Sequence, residues 1–166
     1  QGVEGVTCDF KMPVWSPGYY GLFDFAGNVL AFRAEDGQGN PLKWEKTGSS
    51  TWRVVTDEAE SMVLRYEVRA ASQFVGQSYL GEDRGYIVPA SVCMYTDELL
   101  HSPVIVKINL NPAWTTIATG LDPVSADQPQ TFLAADFDEL YDSPILMGNL
   151  ESLPPFAIQG IPHYFI

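Results

Sequence analysis

The chain has 166 residues, 46% hydrophobic and 18% charged, enough for one domain with a real core but not for a large multidomain enzyme. Its 13% aromatic content excludes a disordered chain, which would lack the apolar surface to offset ordering entropy. A formal charge of -12, from 9 Lys and Arg against 21 Asp and Glu, repels phosphate backbones and anionic headgroups, so nucleic acid is not an expected partner.

The first residues, Gln1 to Val6, show neither the basic start nor the apolar core of a secretory leader. Either there is none or one has been removed; a periplasmic or secreted location fits a trimmed leader. From there the dominant period is two. Val6, Cys8, Phe10, Met12 and Val14 alternate with Thr7, Asp9, Lys11 and Pro13, which predicts a half-buried strand. The aromatic run from Trp15 to Phe23 follows, around the turn Ser16-Pro17-Gly18. Its Trp15, Tyr19 and Tyr20 fit two roles: an exposed stacking surface for a sugar or a protein, or the packed edge of a core under a tight turn.

Further strands are predicted at 29–33, 42–46 and 52–56, with a hairpin loop at Asp36-Gly37-Gln38-Gly39-Asn40-Pro41. Leu64, Tyr66, Val68 and Ala70 alternate with Arg65, Glu67 and Arg69 in the cleanest amphipathic strand of the chain. Residues 85–95 and 104–110 also read as strands, and 122–130 as a loop. Helix signals are sparse. The best is 134–142, where Asp136 can cap the start and Glu139 supply the capping-box partner. Ile158 to Ile166 is apolar and weakly alternating, a strand heading onward. The pattern predicts an all-β, β-sandwich-like domain of mostly antiparallel strands with one short helix near 136–142. No apolar run reaches the length of a membrane span.

Little in these residues resembles a catalytic centre. His101 and His163 lie far apart and off any helical pattern, so no zinc-binding pair at i, i+4 exists. There is no Gly-x-Ser-x-Gly and no phosphate-binding glycine loop. Asp136, Asp138, Glu139 and Asp142 could hold calcium in an adhesion-type module or simply decorate a solvated helix face. Cys8 and Cys93 could form one bridge closing a long loop, or stay as two free thiols.

Four stretches, in order, resemble a known family. Pro13-Val14-Trp15-Ser16-Pro17-Gly18-Tyr19-Tyr20 with Asp24-Phe25-Ala26-Gly27-Asn28-Val29 looks like the opening of the glycyl aminopeptidase family. Ser78-Tyr79-Leu80-Gly81-Glu82-Asp83-Arg84-Gly85-Tyr86-Ile87 is similar to its middle, Phe132 to Pro144 is the most specific match, and Gly160-x-Pro162-His163 resembles its closing strand. The family comprises thermolysin-clan zinc metallopeptidases, often with a PDZ domain.

The resemblance implies that residues 1–166 form a single N-terminal β-domain, with the zinc-binding His-Glu-x-x-His helix and the PDZ module lying elsewhere in a parent protein. It implies no catalytic residue, no metal ligand and no cofactor in this segment, with zinc confined to the parent and the segment inactive alone. The implied partners are the catalytic domain of the same polypeptide and, through it, a peptide substrate. Arg84, Tyr86 and Asp142 are the residues expected near the interdomain face or the substrate cleft.

Overall fold

The computed structural model describes residues 5–57, 59–72 and 74–166, the Tyr20 side chain excepted. In chain order the strands of the first half are β1 (Thr7–Lys11), β2 (Trp15–Ser16), β3 (Tyr19–Leu22), β4 (Val29–Asp36), β5 (Trp44–Lys46), β6 (Thr51–Val55) and β7 (Met62–Val68). The second half has β8 (Tyr79–Leu80), β9 (Arg84–Ile87), β10 (Val104–Lys107), β11 (Thr116–Thr119), β12 (Asp122–Pro123) and β13 (Thr131–Ala134). The helix α1 (Phe137–Tyr141) follows, then β14 (Ile145–Gly148), β15 (Phe156–Ile158) and β16 (Ile161–His163). The all-β class holds, and the one α-helix among the described residues sits where its caps predict. The strands are distributed over several small antiparallel sheets.

In the first half, β6 lies between β1 and β5, and β4 pairs with β7. The period-two pattern explains the layering: Trp52 and Val54 of β6 are buried, whereas Arg53 between them turns outward to Asp9, its directly opposite residue on β1. Two parallel hydrogen bonds of 2.8 Å join that guanidinium and carboxylate, and they hold the Asp9 carboxyl below its ordinary pKa. Met12, Phe25, Phe32, Trp52, Val54 and Val88 form the core between these layers. The loop after β4 is the predicted hairpin: Asp36 Oδ1 accepts from the Gln38 and Asn40 amides at 2.8 Å each.

The second half holds the ladder β11-β14-β9-β8 and the sheet β10-β13-β12. Phe132, Ala134, Phe137 and Leu140 pack between β13 and α1, and Trp114, Ile145 and Met147 form a smaller cluster behind β14. Asp136 accepts from the Glu139 amide at 2.9 Å, and Glu139 reaches back to the Ala135 amide, one residue earlier than an ordinary capping box.

Three predicted boundaries are corrected. The strand expected over 85–95 stops at Ile87, because Pro89, which has no N–H and a fixed φ, opens a one-turn 3-10 helix at Pro89–Ser91. The 122–130 loop begins as a strand, with Asp122–Pro123 pairing to Leu133 and Phe132. The apolar tail forms a hairpin rather than one strand. No helix among the described residues is long and apolar enough to cross a membrane.

Candidate functional site: an aromatic-rimmed cleft

The turn Pro17-Gly18 between β2 and β3 requires a positive φ at Gly18, 74°. It presents Tyr19 at the head of an aromatic stair. Phe25, fully buried, stacks on Phe23 with centroids 4.9 Å apart and planes 13° apart. Phe23 in turn contacts Tyr19 at 5.3 Å and Phe74 at 6.1 Å, and Tyr19 meets Phe74 edge-on at 5.0 Å. The rim is thus anchored to the core through ring-on-ring contacts, each stabilising by about 0.5–1.5 kcal/mol beyond its buried area.

Beside this stair lies a cleft of about 260 Å³ lined by Ser16, Pro17, Tyr19, Phe74, Val75, Tyr86, Val88, Tyr141, Asp142 and Pro144, among others. Its opposite wall is set by α1. Tyr141, near the helix end, donates its hydroxyl to the Trp15 carbonyl, and the Trp15 ring packs edge-on against it, centroids 5.7 Å apart. Burial, helped by Tyr95 and Asp138, pushes the Tyr141 phenol up to about 12, so it stays a neutral donor through the physiological range. Burial also raises the Tyr86 phenol. A second hollow of about 430 Å³ shares Phe74, Val75 and Tyr86 with the first and adds Arg84 and Tyr79. The segment 74–75 forms the divide between the two.

The three residues expected near an interdomain face therefore converge. Tyr86 borders both hollows, Asp142 the first and Arg84 the second. Arg84 and Asp142 are exposed, and neither takes part in an ion pair among the described residues. Of the aromatic surface, Trp15 and Tyr19 are about half exposed, at 48% and 46%, and each leans on a different ring, Trp15 on Tyr141 and Tyr19 on Phe74. The Tyr20 side chain lies outside the described set. Sequence reading missed Phe74 and Val75. Their signal was an apolar pair inside the polar stretch between Ser72 and Gln77, ahead of a glycine.

Two buried serines brace the cleft floor at Val88. Ser78 Oγ accepts from the Val88 amide at 2.9 Å, Ser91 Oγ donates to the Val88 carbonyl at 2.9 Å, and the two hydroxyl oxygens lie 2.6 Å apart. The network gives both buried hydroxyls partners, and no buried side-chain N or O atom among the described residues lacks one.

The two hollows bring together apolar walls, phenol groups, one carboxylate and one guanidinium, a set of groups suited to binding rather than to bond-making. Zinc does not fit here. Among the described residues no group of three or more His, Cys, Asp or Glu side chains could hold a metal ion. His101 is exposed on a turn, and His163 stacks on Phe156 at 5.3 Å. In the acidic cluster, Asp136 and Glu139 serve as helix caps. Cys8 and Cys93 are free thiols; burial raises both, Cys93 to about 11.

A crystal structure described as an aminopeptidase N family protein from Idiomarina loihiensis superposes with a TM-score of 0.86 at 26% identity, over 99% of this chain. The chain spans 28% of that protein. No curated protein sequence matches the chain. The Peptidase M61 N-terminal domain family matches residues 2–149, and the chain belongs to that family.

Proposed function

We propose that this chain is the non-catalytic N-terminal accessory domain of a zinc aminopeptidase, packed on the catalytic domain of the same polypeptide and walling one side of its substrate cleft. The observation that carries this reading is the convergence of Tyr19, Tyr86 and Asp142 on one aromatic-rimmed hollow, with Arg84 in the adjoining one. Sites for small ligands and peptides favour interfaces between domains, where two partly apolar walls close on the ligand. The parent's zinc would polarise the scissile carbonyl and activate water. This segment's task is different: Tyr19 and Phe74 exclude water, and Tyr86, Asp142 and Arg84 orient the peptide.

The name carried by the Idiomarina loihiensis protein supports an aminopeptidase parent. The test is kinetic, in the full-length polypeptide. Phe74→Ala and Asp142→Asn should each lower kcat/KM for short peptides by roughly 10-fold or more, with most of the change in KM, as loss of uniform substrate binding requires. Unchanged kcat/KM in both variants would remove the cleft-wall role.

A further inference from the structure

Residues 151–166 are exposed along their whole length, and β15 and β16 pair only with each other among the described strands. Gln159 and Gly160, with φ of 51° and 82°, form the two-residue turn of positive φ that suits a twisted hairpin. The register sets Phe156 opposite His163 and Ile158 opposite Ile161, so these four side chains share one face. Phe156 stacks on His163 at 5.3 Å and on Phe165 at 5.6 Å, which pre-assembles that face. It stays uncovered: Phe156 is 45% exposed, Ile158 53% and Ile161 63%. From Ser152 to Ile166 there is no Asp, Glu, Lys or Arg, in a chain of net charge -12. A lone two-stranded hairpin is marginal in water, and an ordered apolar face of this kind marks an interaction site. The body does not use it, because the buried clusters are drawn from residues up to Met147 and the family match stops at 149.

We infer that this hairpin is a docking arm whose apolar face is covered by later polypeptide of the parent peptidase. Two observations favour that occupant over a second copy. The likeness to the Idiomarina loihiensis protein takes in 99% of this chain, hairpin included, and only 28% of that protein's chain, so in that protein a large body shares the polypeptide with the matched domain. In addition, Pro154, Pro155 and Pro162 lack the N–H that edge pairing needs, which disfavours strand addition between copies and leaves the face as the contact. The inference rests on the chain being part of a larger peptidase, but not on the cleft-wall role.

Hydrogen exchange on the full-length polypeptide and on the 166-residue chain tests it. The amides from Phe156 to His163 should exchange at least about 100-fold more slowly in the full-length polypeptide, the scale of a face covered in a stable domain contact. In the 166-residue chain they should exchange at near-unstructured rates at every protein concentration. Equal rates in the two would overturn the inference, as would protection in the short chain that rises with concentration, the sign of a second copy. Ile158→Ser in the full-length polypeptide should abolish the protection while leaving the melting temperature of the 166-residue chain unchanged; retained protection counts against the arm. The two readings fail separately. A silent Phe74→Ala with a protected hairpin sinks only the cleft wall, and an unprotected hairpin sinks only the arm.

Discussion

Tyr141 donates its hydroxyl to the carbonyl of Trp15, 126 positions earlier in the chain, while the two rings meet at 74°. This contact joins α1, in the second half, to β2, the first strand of the aromatic hairpin, and the residues next to both partners, Ser16 and Asp142, line the cleft. Tyr141→Phe keeps the ring contact and removes the bond. We expect a loss of about 0.5–1.5 kcal/mol in urea unfolding, the net value of an ordinary hydrogen bond. In the full-length polypeptide the same variant should raise KM for peptide substrates. Stability unchanged within error would show that the bond does not hold the wall.

Tyr66 gives the clearest pH dependence. Its hydroxyl donates to the Val92 carbonyl at 2.8 Å and accepts from the Met94 amide at 3.2 Å, and burial pushes its pKa from 10.0 to about 12. The folded state therefore favours the neutral phenol. That preference contributes fully below pH 10 and is lost as pH rises toward 12, an effect of about 2–3 kcal/mol. Tyr141 and Cys93 titrate nearby, so the diagnostic quantity is the difference between wild type and Tyr66→Phe. The variant should be less stable by about 1–3 kcal/mol at pH 8, because Val92 and Met94 lose their partner. The gap should narrow by pH 11.5. A constant gap would contradict the assignment.

The serine pair under the cleft makes a local prediction. Ser91→Ala removes the 2.6 Å contact to Ser78 and the shorter of the two hydroxyl bonds to the Val88 carbonyl, leaving that buried carbonyl only the Ser78 hydroxyl at 3.4 Å. The expected destabilisation is about 1–3 kcal/mol, and the Ser78→Ala, Ser91→Ala pair should cost less than the sum of the singles. Additive losses in a double-mutant cycle would show that the two hydroxyls do not act together.

The thiols should differ in reactivity. Cys8 reaches Thr96 Oγ1 at 3.5 Å near the surface, whereas Cys93 packs among the apolar residues of the second core, with its pKa raised to about 11. Native alkylation at pH 8 should label Cys8 first and Cys93 more slowly, since the thiolate is the reactive form and Cys93 has the higher pKa. Mass spectrometry of the labelled peptides reads this directly. Equal rates, or a Cys8–Cys93 bridge in the unreduced protein, would contradict the packing.

How much of this was legible in the sequence depended on which faces of a strand are covered. β7 has core on one side and solvent on the other, so its alternation from Met62 to Val68 reads directly. β13 and β14 are buried on nearly every residue, and that erases the period-two signal. The helix was legible because Asp136 and Glu139 act within four residues of each other. Tyr86 and Asp142 could be singled out from the motifs around them. Phe74 showed in the sequence only as an apolar pair with Val75, and its place on the cleft depends on Phe23 and Tyr19, some 50 positions earlier. Tertiary contacts of that range leave no local pattern.

The most direct measurement compares peptide hydrolysis by the 166-residue chain and by the full-length polypeptide, each with zinc supplied. The expected result is zinc-dependent release of amino-terminal residues by the full-length polypeptide alone, weakened by Asp142→Asn or Phe74→Ala. Metal-dependent hydrolysis by the 166-residue chain itself would contradict the accessory role.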